Sequence, residues 1–318
     1  MAESTHRVEV VPVELLPHPN ADTLSIVKVY GYQVVVKTEL WQGVTLGAYC
    51  PPDSLVPPEF VNKPAECGKQ RIKAQRFRGE WSQGLLVPAP AGASLGDDVA
   101  ELLGVEHYEP QIPDGDAEKG PGFFTPYYDV EAWYRYKHLL VEGEPVAITE
   151  KIHGANSRFV WSDDRLYCGS RSQWKKESES SPWWMAVKQN PWIAEFCQKH
   201  PGKVLYGEIY GWVQDLRYGA APGQIWFRAF DVLDGGNWLD MADPVWAEIP
   251  TEHQIPLLYM GSYSESIVMA YVDGQTTIPG ASHIREGIVI KPLRERTSPE
   301  VGRVILKVVS NKYLEKAK

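Results

Sequence analysis

An acidic stretch punctuated by proline and glycine, EHYEPQIPDGDAEKGPGFFTPYYDVE at residues 106–131, divides the chain into two parts with different hydrophobic patterns. It carries a single lysine, and its composition marks a boundary. At 318 residues and 43% apolar, the chain is long enough for each part to bury its own core. We therefore expect domains at residues 1–105 and 131–318, joined by a linker at 106–130, with FFTPYY packing that linker against a neighbour.

The first part reads as short strands, VEVVPVELL, LSIVKVYGYQVVVK, RIKAQRF and QGLLVPAP, separated by Pro, Asn and Gly. This is the pattern of a small all-β barrel. The segment PHPNADTLSIVKVYG resembles the opening strands of OB-fold nucleic-acid-binding domains, tRNA-binding ones among them. Further on, KQRIKAQRFRG sets Lys69, Arg71, Lys73, Arg76 and Arg78 within ten positions without an acid. On a continuous strand Arg71 and Lys73 share a face, which suits a groove that tracks phosphates. A solvated edge strand whose charges discourage aggregation accounts for the same pattern.

The second part alternates β segments with helical ones, the mark of an α+β domain with largely antiparallel sheets. With a formal charge of −9 the chain is no global nucleic-acid coat, so any basic surface must be local. The four cysteines form no CxxC pair and read as reduced, packed thiols, with zinc disfavoured. No secretory signal and no membrane-spanning run is evident, from which we expect a soluble cytoplasmic protein. Several strand-like apolar runs enclose a charge, as in LYGEIYG, and a carboxylate in such a run needs a partner.

In order, EKIHG, CGSR, LYGEIYG, FRAFDV, REGIVIKP and VILKVVS resemble the six nucleotidyltransferase motifs of covalent polynucleotide ligases. The likeness is closest to the RNA ligase 2 family and to RNA ligases with an N-terminal OB domain. It implies an ATP-grasp-like domain of antiparallel sheets. Lone lysine-to-glycine spacings are common; six ordered segments over roughly 160 residues are not. The implied substrate is ATP, with Mg²⁺ or Mn²⁺. The implied nucleophile is Lys151, which must shed its proton because a lysine at its ordinary pKa of about 10.4 is inert. Burial and neighbouring cations can favour that loss.

The resemblance assigns nucleotide contacts to Glu150, His153, Asn156, Arg171, Glu208, Phe230 and Glu286. His153 stands where many relatives have Asp, and Phe230 is the ring expected on adenine. Glu208 and Glu286 are also implied to hold the hydrated metal, and Lys291 and Lys307 to meet the α-phosphate. The family usually reads KxK in its last motif. Here the sequence is Lys307, Val308, Val309, which leaves Lys307 or a lysine such as Lys312 for that contact. Residues 69–78 are the expected nucleic-acid face.

Only nine residues follow Val309, so the expected grip on nucleic acid falls to the barrel. The activity implied is an ATP-dependent RNA ligase sealing 3′-OH/5′-phosphate nicks in RNA duplexes or RNA/DNA hybrids, acting as a monomer. A GTP-using capping-type transferase and a non-catalytic RNA-binding protein remain as alternatives.

Overall fold

Alternation builds the first unit. In the hairpin of Leu24–Val29 with Tyr32–Lys37, Val27, Val29, Val34 and Val36 are buried while Lys28 and Lys37 are exposed. The structure, a computed structural model, describes residues 6–108 and 116–316. Contacts divide it into two units, Met1–Ile112 and Pro113–Lys318. In the first, Leu46–Cys50 pairs antiparallel with both Glu9–Pro12 and Leu85–Pro88. Two apolar clusters fill it, one around Val8, Ala48 and Val87, the other around Val27, Trp41 and Tyr49. This is the all-β unit that the sequence predicts. Of the expected 106–130 linker, residues 109–115 lie outside the described residues, and the described ends each pair within a unit. Glu106–His107 pairs with Ser54–Val56, and Ala117–Glu118 pairs with Trp174–Lys175.

The second unit contains two larger sheets. The seven-stranded one runs, in spatial order, Ala117–Glu118, Trp174–Lys175, Arg165–Ser170, Ala155–Ser162, Val204–Gly211, Ile225–Asp234 and Asn237–Trp238. The five-stranded one runs Glu131–Ala132, Leu306–Val309, Gly287–Pro292, Pro145–Lys151 and Leu257–Ser262. Every pairing in them is antiparallel except Glu131–Ala132 with Leu306–Val309. Helices Pro182–Gln189 and Trp192–Lys199 cover one face of the larger sheet through Trp184, Ile193 and Phe196. Helix Glu265–Val272, capped by the Ser264 hydroxyl accepting from the Ile267 amide, covers the outer face of the smaller sheet. Val160, Tyr206 and Trp174 of the larger sheet meet Val289 and Ile305 between them. Among the described residues no helix is long and apolar enough to cross a membrane. Cys50, Cys168 and Cys197 are buried free thiols and Cys67 is an exposed one.

A buried polar cluster ties these sheets together. Asp231, 2% exposed, accepts from Lys291, from the Tyr128 hydroxyl, and from both terminal nitrogens of Arg303 at 2.9 Å. Glu295 completes the balance, 2.5 Å from Arg303 and 3.6 Å from Lys291. Burial alone would raise the Asp231 pKa, but Arg303 and Lys291 outweigh it and hold the carboxyl at about 2. Removing one member of such a cluster leaves buried charge uncompensated. Asp231→Asn should therefore destabilise the fold by roughly 3–5 kcal/mol in urea unfolding. The Asp231 contribution is present in full above the ordinary aspartate pKa of about 3.9 and fades as pH falls towards its folded value. The gap between wild type and variant should shrink over that window.

Candidate active site

Lys151 ends the Pro145–Lys151 strand, and the turn after it is set by the neighbouring sheet. Gly154 lies so close to Val204–Gly211 that a Cβ there would run into the Ile209 carbonyl oxygen and crowd Glu208. Glycine three residues beyond the lysine is thus a steric requirement. The Gly154 amide donates to the Glu208 carboxylate, and the His153 amide donates to Tyr218 Oη at 2.8 Å.

Register decides which side chains share this side of the sheet. Ala147 pairs with Lys291, Thr149 with Val289 and Lys151 with Gly287, while Val289 also pairs with Lys307. Paired residues lie on one face. Lys151, Lys291 and Lys307 therefore share the face opposite Ile148, Ile288, Ile290, Leu306 and Val308, which pack under the outer helices.

Lys151 Nζ donates to Glu286 Oε1 at 2.8 Å. His153 Nδ1 stands 3.6 Å from Glu286 Oε2 and 3.3 Å from the Tyr313 hydroxyl. Burial disfavours the charge on Lys151, but Glu286 and Glu208 override it and hold the amine above the ordinary lysine pKa. The expectation of a readily lost proton is thus reversed among the protein's own groups, because two carboxylates outweigh desolvation. For Glu286, burial pushes up while Lys151 and His153 pull harder, leaving it below the usual glutamate value. Glu208 is dominated by its burial, with Glu286 adding to it against the pull of Lys151, and is raised to about 8.

Asn156 stands opposite Glu208 in register, its carbonyl accepting from Trp183 Nε1 at 3.1 Å and its buried Oδ1 without a hydrogen-bond partner among the described residues. Arg171 lies over the Tyr127 ring at 4.7 Å and 3.8 Å from Asp129. Lys307 makes no hydrogen bond or ion pair among the described residues. Burial lowers its pKa; Asp129 and Glu131 oppose this, and Lys151 and Arg171 add to it. Lys312 instead pairs with Asp273 at 3.2 Å and is mostly exposed.

Three expected contacts are committed elsewhere. Lys291 belongs to the Asp231 cluster, four residues along the sheet from Lys151 in register, about 13 Å at strand spacing. The Glu150 carboxylate is taken by Thr276 Oγ1 and by Thr277 N and Oγ1, the last two at 2.7 Å. Phe230 is the extra residue of a bulge, since Tyr206 pairs with Asp231 and Gly207 with Ala229. Its ring packs on Tyr128 at 4.6 Å and against the cluster of Ile152, Tyr210 and Tyr218 under the Lys151 turn.

Glu208 and Glu286 fit a hydrated divalent ion. Glu286 Oε2 is buried without a hydrogen-bond partner among the described residues. No group of three His, Cys, Asp or Glu that could hold a metal occurs there, so any ion would keep most of its waters, as Mg²⁺ does.

In the first unit, KQRIKAQRFRG is not one strand. Gln70–Arg71 and Gln75–Phe77 are separate, so Arg71 and Lys73 do not share a strand face. Lys69 is paired to Glu106 at 2.6 Å, and Arg71 to Asp53 at 2.7 Å while stacked on Tyr108. Lys73, Arg76 and Arg78 are exposed, Arg76 leaning over Trp81 at 5.0 Å. Sequence reasoning missed Asp129, Tyr218, Tyr313 and Arg303; of these Arg303 lies in the apolar run VGRVILKVV, the same signal that marked Glu208.

Comparison with known proteins agrees with this picture. An RNA ligase family model matches residues 144–309 and an OB-fold domain model matches residues 7–89. A search of curated proteins found no match. Among solved structures, Naegleria gruberi RNA ligase with PPi is similar at 23% identity and TM-score 0.78, covering 99% of each chain. An arginine mutant of it with ATP and Mn is 24% identical at TM-score 0.78, covering 98% of each chain. A lysine mutant with AMP and Mn is 23% identical at TM-score 0.78, covering 97% of this chain and 98% of that one. The shared fold is an OB barrel followed by an antiparallel α+β domain.

Glu286 is the strongest of the groups that raise the Lys151 pKa, so Glu286→Gln should lower it. Amine-reactive labelling of Lys151, read by peptide mass spectrometry across pH 7–11, should begin at lower pH in that variant than in wild type.

Proposed function

The chain belongs to the RNA ligase family, and on that premise we propose that it uses ATP to adenylylate Lys151 and seals 3′-OH/5′-phosphate nicks in duplexes with RNA on the 3′-OH side. The observation that carries this reading is the convergence of Lys151 with Glu286 and Glu208 on a turn that only glycine permits at 154. Supporting it, the Naegleria gruberi ligase of the same fold is known with ATP and Mn, with AMP and Mn, and with PPi.

Each step moves one bond. Lys151 Nζ attacks the α-phosphorus of ATP, loses a proton, and pyrophosphate leaves, giving a lysyl phosphoramidate. An oxygen of the RNA 5′-phosphate then attacks the same phosphorus and returns the lysine. Last, the 3′-OH attacks the 5′-phosphorus and AMP departs. Lys307 and Arg171 face the phosphates: the first is a buried cation without a carboxylate bonded to it, the second a planar fork for phosphate oxygens. Glu286 holds the amine in place through its 2.8 Å contact. A divalent ion on Glu208 and Glu286, when bound, supplies positive charge that offsets the triphosphate and weakens the amine's hold on its proton. Asn156 offers its unpaired Oδ1 to the nucleotide.

Incubation with α-labelled ATP and Mg²⁺ should leave label on the denatured protein, and Lys151→Ala should abolish it. Labelling by GTP alone, or none from protein stripped of AMP, would defeat the reading. Lys307→Met should reduce labelling about a hundredfold, the scale for removing one charge-stabilising group, whereas Lys312→Ala should stay near wild type. Nicked duplexes with RNA at the 3′-OH should be sealed and all-DNA nicks should not; equal sealing of both would refute the substrate assignment.

A further inference from the structure

The two strands Gln75–Phe77 and Glu80–Ser82 form a hairpin in which Phe77 stands opposite Glu80. Arg78 and Gly79 make the two-residue turn, with φ of 50° and 95°. Positive φ at both positions defines a type I′ turn, where Asn, Asp or Gly is favoured and an arginine is strained. Beside this strain, Phe77 presents 42% of its surface to solvent. Local stability explains neither choice.

The hairpin is nonetheless held firmly. His18, 7% exposed, places its Nε2 3.1 Å from the Phe77 carbonyl oxygen and its Nδ1 3.1 Å from the Asn20 amide. A carbonyl can only accept and an amide can only donate, so Nε2 donates to Phe77 and Nδ1 accepts from Asn20. Asn20 Nδ2 then donates to the Arg78 carbonyl oxygen at 3.0 Å. The segment PHPN is therefore a clamp that fixes both backbone carbonyls at the end of the Gln75–Phe77 strand.

Charge separates this hairpin from the basic residues just before it. Lys69 and Arg71 are neutralised by Glu106 and Asp53. The Lys73 and Arg78 side chains make no hydrogen bond or ion pair among the described residues. Glu80, the acid nearest Phe77 in register, is bound by Gln33 Nε2 at 3.0 Å. An exposed ring next to Arg78 and near Lys73 differs from an apolar protein-docking patch, and it matches the chemistry of nucleic acid, a flat base beside phosphates.

We infer that the Gln75–Ser82 hairpin is an RNA contact in which Phe77 stacks on a nucleobase, Arg78 and Lys73 meet phosphates, and His18 and Asn20 position the turn. This rests on the RNA-ligase reading above and names where the first unit holds its substrate.

The test is the affinity of the full chain for a fluorescent nicked RNA duplex, measured by anisotropy over a range of salt. Phe77→Ala should weaken binding on the order of tenfold without changing the slope of log Kd against log salt, and Phe77→Trp should restore it. Arg78→Ala should reduce that slope by about one. Thermal unfolding checks that each variant is folded. Wild-type affinity in Phe77→Ala, or a loss that Phe77→Trp fails to rescue, overturns the inference alone. A wild-type protein that binds no nicked RNA duplex overturns the RNA-ligase reading and this inference with it.

Discussion

The spacing between the two sheets of the second unit depends on one carboxylate. Asp231 sits on the larger sheet just after the bulge at Phe230, and its partners come from three other places. Lys291 comes from the smaller sheet, Arg303 from the short strand Gly302–Arg303, and Tyr128 from the segment before Glu131–Ala132. With Glu295 included, two cations meet two anions, so the cluster closes with no net charge. A closed cluster can be buried, whereas an open one would draw in water. Tyr128 extends the effect to packing, since its ring contacts Tyr206, Phe230 and Trp238.

The other end of the same face is built on the opposite principle. There Lys151, Arg171 and Lys307 face Glu208, Glu286 and Asp129, but the pairing is incomplete. Glu208 is held near 8 by its burial, and Glu286 Oε2 and Asn156 Oδ1 lack hydrogen-bond partners among the described residues. Unsatisfied buried polar groups are costly, so each calls for a physical reason. One end of the inter-sheet face is therefore closed by charge pairing, and the other keeps unpaired polar groups that suit the phosphate and cation contacts proposed above.

Much of this was legible in the chain itself. Charges inside apolar runs identified Glu208, and the ordered motifs placed Lys151, Asn156, Arg171, Glu286 and Lys307 where the fold groups them. The roles of Lys291 and Glu150 were not readable, because the partners that engage them, Asp231, Thr276 and Thr277, come from distant segments whose register only the fold determines. Likewise KQRIKAQRFRG shows five cations, but not that Asp53 and Glu106 neutralise two of them from other strands. Local pattern reports the face a residue occupies; it does not report what waits across the gap.

The valine at 309 shows how such register carries meaning. Val309 pairs with Gly287, which pairs with Lys151, so the three lie in one row on the same face. A lysine there, as the usual last motif of the family would have it, would stand beside Lys151 and help to push its proton off. This chain gives up that cation, and the pull of Glu286 and Glu208 on Lys151 is opposed by burial and by Arg171, but not overcome. The amine accordingly rests above its ordinary pKa, and on the proposed ligase reading the positive charge that frees it is that of the divalent ion bound with ATP.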